Sequence, residues 1–266
     1  MLKIGGSVVT EKNRPGVFIR RKLLTEIAKD CAAALSANKN TRLIIIHGAG
    51  SAAHQVAKKY NLENGTKNDF KKIEGALAIH VANQKLNLAI AEIFLKHGVN
   101  ISPVHTASAV IQNNGIIEKC FYDVIDGVLN LNCVPLLYGE IVFDEILGMT
   151  ICSGDVIAVD LAKKYNASKI VFASDVDGVF DKDPHVHRDA KIIRLTTLDS
   201  ISKSEEVALS GSHNVDVTGG LKNKIAVLSI GNIPKSLKQV VVCNGFSAGF
   251  IARAFNDTDD GTIIQI

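Results

Sequence analysis

The chain has 266 residues, of which 47% are hydrophobic, so it can bury the core of one large α/β domain or two closely packed lobes. Its net charge is +3, and the 21% of charged residues have both signs mixed along the chain. This balance argues against nucleic-acid binding, which needs a concentrated basic patch. No apolar run approaches the roughly 20 residues that span a bilayer, so we expect no membrane association.

The five cysteines are odd in number and widely spaced, and they contain no C-x-x-C pair. We expect reduced, mostly buried thiols in a cytoplasmic protein, because oxidising compartments favour paired cysteines. The first residues, MLKIGGS, have neither the signal-peptide nor the transit-peptide pattern.

Short apolar runs alternate with longer amphipathic stretches, which is the pattern of a parallel sheet covered by helices. The predicted strands are, in chain order, MLKIG (1–5), RLIIIHG (42–48), NISPV (100–104), VPLLYG (134–139), KIVFAS (169–174) and QVVVCNG (239–245). The predicted helices cover residues 21–37, 52–60, about 70–96, 154–165 and 219–231. The segment EIVFDEILGMTIC (140–152) alternates apolar and polar residues around a Leu-Gly pair, which predicts a β-hairpin.

The segment HGAGSAAH, residues 47–54, fits both a dinucleotide-binding fingerprint and a phosphate-binding loop. A dinucleotide site needs an acidic residue about 20 positions later, at the end of the next strand. The candidate is Asp69, which lies in the polar stretch ENGTKNDFKK with no strand before it. The context therefore favours phosphate handling, although no Walker A sequence is present.

Four glycine-bearing turns occur at predicted strand or helix ends. They are KIGGS (3–7), HGAGS (47–51), CSGD (152–155) and DVTGG (216–220). Glycine lets backbone N–H groups approach an anion, and a helix amino terminus adds its positive dipole end. Lys3 and Lys224 lie beside the first and last turns and supply the compact cations that a triphosphate needs. Asp155 is expected either to pair with these lysines or a metal, or to cap a helix, a role that Ser153 can share.

These segments also carry a family resemblance that spans nearly the whole chain. LKIGGSVVT, HGAGSAAH, YGE, SGD, SDVDGVFDKDP and DVTGGLKNK resemble, in this order, the motifs of the amino acid kinase family. The resemblance implies an α/β fold with an open, mostly parallel central sheet sandwiched between helices (αβα) in two tightly packed lobes. Residues 1 to about 165 would bind the acceptor and form a homodimer, and residues from about 166 to 266 would bind the nucleotide.

His54 and the segment SGSHNVDVTGGLKNK (210–224) resemble the branch that phosphorylates isopentenyl phosphate with ATP and Mg²⁺. The catalytic residues implied are Lys3, His54, Asp155 and Lys224. The nucleotide site implied comprises Lys3, Gly5, Gly6, Ser7, Gly50, Asp175, Gly178, Gly220 and Lys224. The acceptor site implied comprises Ala49, Gly50, His54, Gly154 and one face of the long helix with Ile73, Ala76, Leu77 and His80, which also fits an ordinary core stripe. No metal ligand is implied.

The chemistry of a phosphate acceptor agrees with this set of residues. A phosphate monoester is mostly dianionic near pH 7, so it attacks without a general base. The obstacle is repulsion between two anions, which amides, lysines, Mg²⁺ and a hydrogen-bonding histidine relieve.

Several residues depart from that branch and leave the acceptor open. They are Ala49, Ala52, Ala53, Glu140 and Val156. A methyl group at Ala49 would block close approach if that residue required positive φ, and Ala52 and Ala76 suggest a roomier pocket. The alternatives are a longer prenyl phosphate or a fosfomycin-like phosphonate, a carboxylate or carbamate acceptor, and a regulatory protein that binds ATP without turnover.

Overall fold

The computed structural model describes residues 1–11, 18–182, 187–203, 228, 233–256 and 261–266. The strands in these ranges are β1 Leu2–Ile4, β2 Ile45–His47, β3 Ile101–Pro103, β4 Val110–Asn113, β5 Ile116–Cys120, β6 Val134–Tyr138, β7 Glu140–Asp144, β8 Gly148–Cys152, β9 Lys169–Ser174, β10 Leu195–Thr197, β11 Gln239–Asn244 and β12 Thr262–Gln265. The helices are α1 Gly6–Val9, α2 Arg21–Ala37, α3 Gly50–Lys59, α4 Phe70–Lys96, α5 Thr106–Ala109, α6 Tyr122–Asn130, α7 Gly154–Lys164, α8 Leu198–Lys203 and α9 Phe250–Phe255.

An eight-stranded sheet forms the centre of the molecule, in the order β10-β12-β11-β9-β1-β2-β6-β3. The six predicted strands all belong to it and pair in parallel with one another. β12 runs antiparallel to β11 and parallel to the edge strand β10. Neither β10 nor β12 was predicted, because each is short and β10 is largely exposed. The carboxyl ends of the central strands meet at one edge, where α/β sheets bind ligands.

Helices cover both faces of this sheet, so the predicted αβα arrangement is confirmed. The parallel strands are apolar at consecutive positions because both faces are buried. On one face Leu2 and Ile4 belong to a core with residues of α2, α4 and α9. On the other, Ile46 and Phe172 belong to a core with residues of α6 and α7.

A second sheet of four strands, in the order β5-β4-β7-β8, contains the predicted hairpin 140–152 as β7 and β8. Its other hairpin, β4–β5, was not predicted. The turn between these strands is Asn114-Gly115, and both residues have positive φ, the signature of a tight hairpin turn. Asp144 accepts the backbone N–H groups of Gly115 at 2.7 Å and Leu147 at 2.8 Å, which joins the two turns.

The predicted helices 21–37, 70–96 and 154–165 are confirmed as α2, α4 and α7, and the helix at 52–60 begins earlier, at Gly50. The predicted helix 219–231 lies outside the described residues except for residue 228. The predicted lobe boundary at about residue 165 falls directly after α7, and the division of roles between the lobes remains a prediction. Among the described residues, no helix combines the length and apolar character of a membrane span.

Candidate active site

Two glycine loops meet backbone to backbone at the carboxyl edge of the central sheet. Gly48 donates its N–H to the carbonyl oxygen of Ile4 at 2.8 Å, so the loop after β2 lies against the loop after β1. A Cβ atom on Gly48 would lie 2.5 Å from the nitrogen of Gly6, and one on Gly6 would lie 2.8 Å from the nitrogen of Gly50. Side chains at these positions would separate the loops. The glycines therefore serve a close approach, as expected from the sequence.

A second pair of glycines brings two further segments to the same edge. Gly139, after β6, donates its N–H to the carbonyl oxygen of His47 at 2.9 Å. A Cβ atom on Gly139 would lie 2.9 Å from the nitrogen of Gly154, at the start of α7. The amino ends of α3 and α7 thus lie at the carboxyl edge, and such ends bind anions.

Lys3 and Asp155 form an ion pair within this edge. The Lys3 ammonium lies 2.9 Å from the Asp155 carboxylate, and both side chains are almost fully buried. Ser153 caps α7, because its hydroxyl accepts the N–H of Val156 at 3.2 Å. Asp155 is therefore not the helix cap, and its pairing with Lys3 agrees with the first of the two expected roles.

Ala49 does not obstruct its loop. The residue has φ −67° and ψ −12°, an ordinary helical conformation, whereas Gly50 has φ +75°. A Cβ atom on Gly50 would lie 2.6 Å from the Thr10 hydroxyl. The required glycine is therefore Gly50. His54 is partly buried in the second turn of α3.

The described part of the SDVDGVFDKDP segment, residues 174–182, begins at the last residue of β9 and contacts β12 through Val179, whose N–H donates to the Thr262 hydroxyl at 2.8 Å. Asp175 lies 3.4 Å from the Ser174 hydroxyl, and Asn244 donates to Asp177 at 2.7 Å. A Cβ atom on Gly178 would lie 2.7 Å from the Thr262 hydroxyl. Gly5 is the N-cap of α1, and Gly6 and Ser7 are the first two residues of that helix. Gly220 and Lys224 lie outside the described residues, so the predicted convergence of the fourth turn stays a prediction.

The predicted stripe on α4 does not form one buried face. Ala76 is fully buried in a small core with Ala53, Ala57 and Ile141, while Leu77 is 50% exposed. Ile73 and His80 are partly buried. Residues three apart share one face of a helix, so Ala76 and Ile79 face the small core together, whereas Leu77 lies on a different face.

Two asparagines on α4, Asn83 and Asn87, connect that helix to the glycine loops. These contacts were not predicted from the sequence. Asn87 lies 3.2 Å from Nε2 of the fully buried His47, whose Nδ1 lies 2.9 Å from the Gly48 carbonyl oxygen. Nδ1–H therefore donates to Gly48, and Nε2 accepts from Asn87. Burial lowers the pKa of His47 to about 4, so the ring is neutral at pH 7. The sequence did contain a signal for these contacts, because two asparagines four residues apart on an apolar helix lie on the same face and need polar partners when buried.

Glu140 is the second buried carboxyl group near this edge. Its Oε1 atom accepts from Asn83 at 2.9 Å and from the backbone N–H of Ile141 at 2.7 Å. Its Oε2 atom lies 3.7 Å from Nδ1 of His80. Burial raises the pKa of Glu140 to about 8, against the opposing effect of these hydrogen bonds. In the sequence, this residue is distinguished only as a departure from the family pattern.

Comparisons with known proteins agree with this architecture. The model of the amino acid kinase family matches residues 1–230, and the chain belongs to this family. It is 34% identical to an isopentenyl phosphate kinase of Methanocaldococcus jannaschii over all of this chain and 98% of the relative. It is 27% identical to an isopentenyl phosphate kinase of Thermoplasma acidophilum, over all of this chain and 99% of the relative.

Solved structures show the same likeness. An X-ray structure of an isopentenyl phosphate kinase superposes with a TM-score of 0.82 at 25% identity, covering 99% of this chain and 98% of the other. A substrate complex of an isopentenyl phosphate kinase superposes with a TM-score of 0.75 at 25% identity, covering 99% of both chains. The predicted fold is confirmed, and the chain is a kinase.

Proposed function

We propose that this kinase transfers the γ-phosphoryl group of ATP to isopentenyl phosphate and forms isopentenyl diphosphate. The observation that carries the proposal is the buried Lys3–Asp155 pair at an edge where glycine loops pack backbone to backbone. Full-length similarity to several isopentenyl phosphate kinases supports the same acceptor.

In this proposal, the segment from the end of β1 into α1 binds the phosphates of ATP. Lys3 supplies positive charge, and Gly5, Gly6 and Ser7 supply backbone and hydroxyl donors. Asp155 fixes the Lys3 ammonium in place, because a buried lysine is held best by a charge partner at 2.9 Å. Asp175, Gly178, Gly220 and Lys224 complete the nucleotide site.

The acceptor phosphate would lie between the amino ends of α3 and α7. Ala49, Gly50 and Gly154 bring backbone amides to it, and His54 donates a hydrogen bond from α3. Such donors act on charge that develops during transfer, and the acceptor itself needs no base. The hydrocarbon tail of the acceptor is proposed to lie beside α4, next to Ile73, Ala76, Leu77 and His80.

Mg²⁺ is part of the proposed reaction and would neutralise charge on the transferring phosphoryl group. The Asp155 carboxylate offers the oxygen donors that this ion prefers, and the ATP phosphates and water supply the rest. This site needs no cage of protein ligands, because Mg²⁺ keeps several waters in kinases.

A homodimer and a cytoplasmic location belong to the same proposal. Val81, Leu88 and Leu95 are each more than half exposed along α4 and recur every seven residues. An apolar stripe of this kind is typical of an interface. Light scattering should give twice the mass of one chain. All five cysteines are free thiols, which supports a reducing compartment.

The proposal is tested by offering the purified protein Mg²⁺-ATP with a panel of acceptors and following ADP release. The panel comprises isopentenyl, dimethylallyl, geranyl and farnesyl phosphates, fosfomycin, mevalonate phosphate, UMP, carbamate and glutamate. We expect turnover with the first two. ATP binding without transfer to any acceptor would instead support the regulatory alternative, and efficient farnesyl phosphate turnover would support a roomier pocket.

His54 provides a more specific test of the proposed roles. His54→Ala should lower turnover at least about 10-fold while ATP affinity stays within about twofold, because the imidazole is assigned to the acceptor alone. Turnover and ATP binding by calorimetry give the two values. An equal loss of both would contradict the assignment.

A further inference from the structure

Three side chains from different elements converge beside the glycine pair Gly139–Gly154. His80 lies on α4, His105 directly precedes α5, and Glu140 is the first residue of β7. One nitrogen of each histidine and one carboxylate oxygen all lie within 4.8 Å of one another. The two imidazoles also meet edge to face, with ring centroids 4.8 Å apart.

Two of these three groups present a buried polar atom without a hydrogen-bond partner. They are Nδ1 of His80 and Oε2 of Glu140, which face each other at 3.7 Å. That distance is too long for a hydrogen bond. Glu140 is only 2% exposed, so water does not readily satisfy its free oxygen. The Tyr138 hydroxyl also interacts with Glu140, and the backbone of Ile141 interacts with His80. Two buried polar atoms aimed at each other across 3.7 Å still leave room for a shared partner between them.

The remaining atoms of the cluster are oriented by hydrogen bonds. Glu140 uses Oε1 for Asn83 and Ile141, which leaves Oε2 directed at His80. His105 has Nδ1 at 2.9 Å from the Ser108 hydroxyl and Nε2 at 2.7 Å from the Gln84 amide nitrogen. In that arrangement Nδ1–H donates to Ser108, the outer hydrogen bond typical of a metal-binding imidazole, and Nε2 accepts from Gln84. Gln84 is exposed, so its amide can turn away and release the Nε2 lone pair to a metal.

We propose that His80, His105 and Glu140 bind a divalent transition-metal ion of the Zn²⁺ type. Two imidazole nitrogens and one carboxylate oxygen are a donor set that Zn²⁺ accepts, with a fourth position for water or an anion. Bonds of about 2.1 Å place tetrahedral ligands about 3.4 Å apart, so the widest pair must approach by at most about 1.4 Å. Side-chain rotation within the cluster supplies such a movement.

Burial lowers the pKa of both histidines and raises the pKa of Glu140, so a divalent ion would supply the positive charge that the cluster lacks and would displace the proton from Glu140. A neutral imidazole is also the form that binds metal. Mg²⁺ prefers oxygen ligands, so this site is distinct from the Mg²⁺-ATP of the proposed reaction. Binding would link α4, the segment before α5 and β7.

Metal binding by the whole, tag-free protein tests this inference without any activity assay. After treatment with a chelator, the protein is titrated with Co²⁺ and with Zn²⁺ in the absence of nucleotide. We expect one equivalent to bind, visible Co²⁺ bands without thiolate charge transfer, and a higher melting temperature as metal is added. Thiolate charge transfer would identify a cysteine site and overturn the inference.

The variants His80→Ala, His105→Ala and Glu140→Gln identify the ligands. Each should weaken binding more than Ser108→Ala, for which the loss of an outer hydrogen bond predicts about 10- to 100-fold. His97→Gln, at the end of the same helix, is the matched control and should bind as the unchanged protein does. Metal-free melting curves confirm folding. No saturable binding, or equal binding by the three variants, would overturn the inference.

Discussion

Asp155 and Glu140 are two buried carboxyl groups with opposite electrostatic surroundings. They directly follow Gly154 and Gly139, which pack against each other, and they are 4% and 2% exposed. Asp155 has the Lys3 ammonium at 2.9 Å, whereas Glu140 has amide donors and a histidine whose pKa is lowered. Burial alone therefore does not decide the charge of a carboxyl group. A neighbouring cation decides it: Asp155 is paired with Lys3, whereas Glu140 has no such cation beside it and burial raises its pKa.

The largest expected effect comes from removing that cation. Lys3→Ala should lower turnover at least about 100-fold, because it removes a charge partner of the transferring phosphoryl group. It should also lower the free energy of unfolding by up to about 3–5 kcal/mol, the cost of breaking a buried pair. Turnover and denaturant unfolding measure the two effects.

The double variant Lys3→Ala/Asp155→Asn separates these two losses. It should recover part of the stability but none of the turnover. Recovered turnover would contradict the catalytic role of Lys3.

The next largest expected effect comes from disturbing the contact between Gly139 and Gly154. Gly139→Ala places a methyl group 2.9 Å from the Gly154 nitrogen and should destabilise the fold by about 1–3 kcal/mol through overpacking. Gly127→Ala on α6 is the matched control, since its Cβ meets nothing within 4 Å. The control should stabilise the protein by about 0.5–1 kcal/mol. Equal effects in chemical denaturation would show that the close contact is unimportant.

Glu140 tests the other side of the comparison through pH. Its pKa is raised from 4.5 to about 8 in the folded protein, so the folded state retains a proton that the unfolded state loses. Its contribution to stability is complete below pH 4.5 and is lost as pH rises toward 8.

Replacing Glu140 with glutamine should remove this dependence. Between pH 5 and 8, Glu140→Gln should gain at least about 1 kcal/mol relative to the unchanged protein, the value of about one pKa unit. Urea unfolding in chelator at several pH values measures this gain. A constant difference would mean that Glu140 is ionised despite its burial.

Ala49→Gly is the smallest change and concerns the loop on the Asp155 side. Because Ala49 has a helical conformation, glycine should leave turnover within about twofold and cost at most about 1 kcal/mol. Kinetics and thermal melting of Ala49→Gly and of the unchanged protein give the change in turnover and the change in stability. A large gain in turnover would show that the alanine methyl group obstructs the site.

The sequence predicted the central sheet and its glycine loops because both depend on local patterns. Apolar runs that end in glycine identified β1, β2 and β6, and parallel pairing then placed those loops together. For Asp155 the sequence left pairing and helix capping open, and the structure shows the pair with Lys3. The β4–β5 hairpin was missed despite its Asn-Gly turn, because each strand has only two adjacent apolar residues at its start and β5 is largely exposed.

The Glu140 cluster was beyond sequence reasoning because its members come from three separate elements. The positions of Asn83 and Glu140 become neighbours only when α4 packs beside β7. His105 joins them from a short segment with no periodic signal. Contacts of this kind depend on tertiary packing, which local propensity does not encode.

Phosphorus NMR of the purified protein with Mg²⁺-ATP and isopentenyl phosphate tests the kinase assignment most directly. We expect the monophosphate resonance to be replaced by the two coupled resonances of a diphosphate, while ATP becomes ADP and the Lys3→Ala sample stays unchanged. Conversion of ATP with an intact isopentenyl phosphate resonance, or equal conversion by the Lys3→Ala variant, would contradict the account.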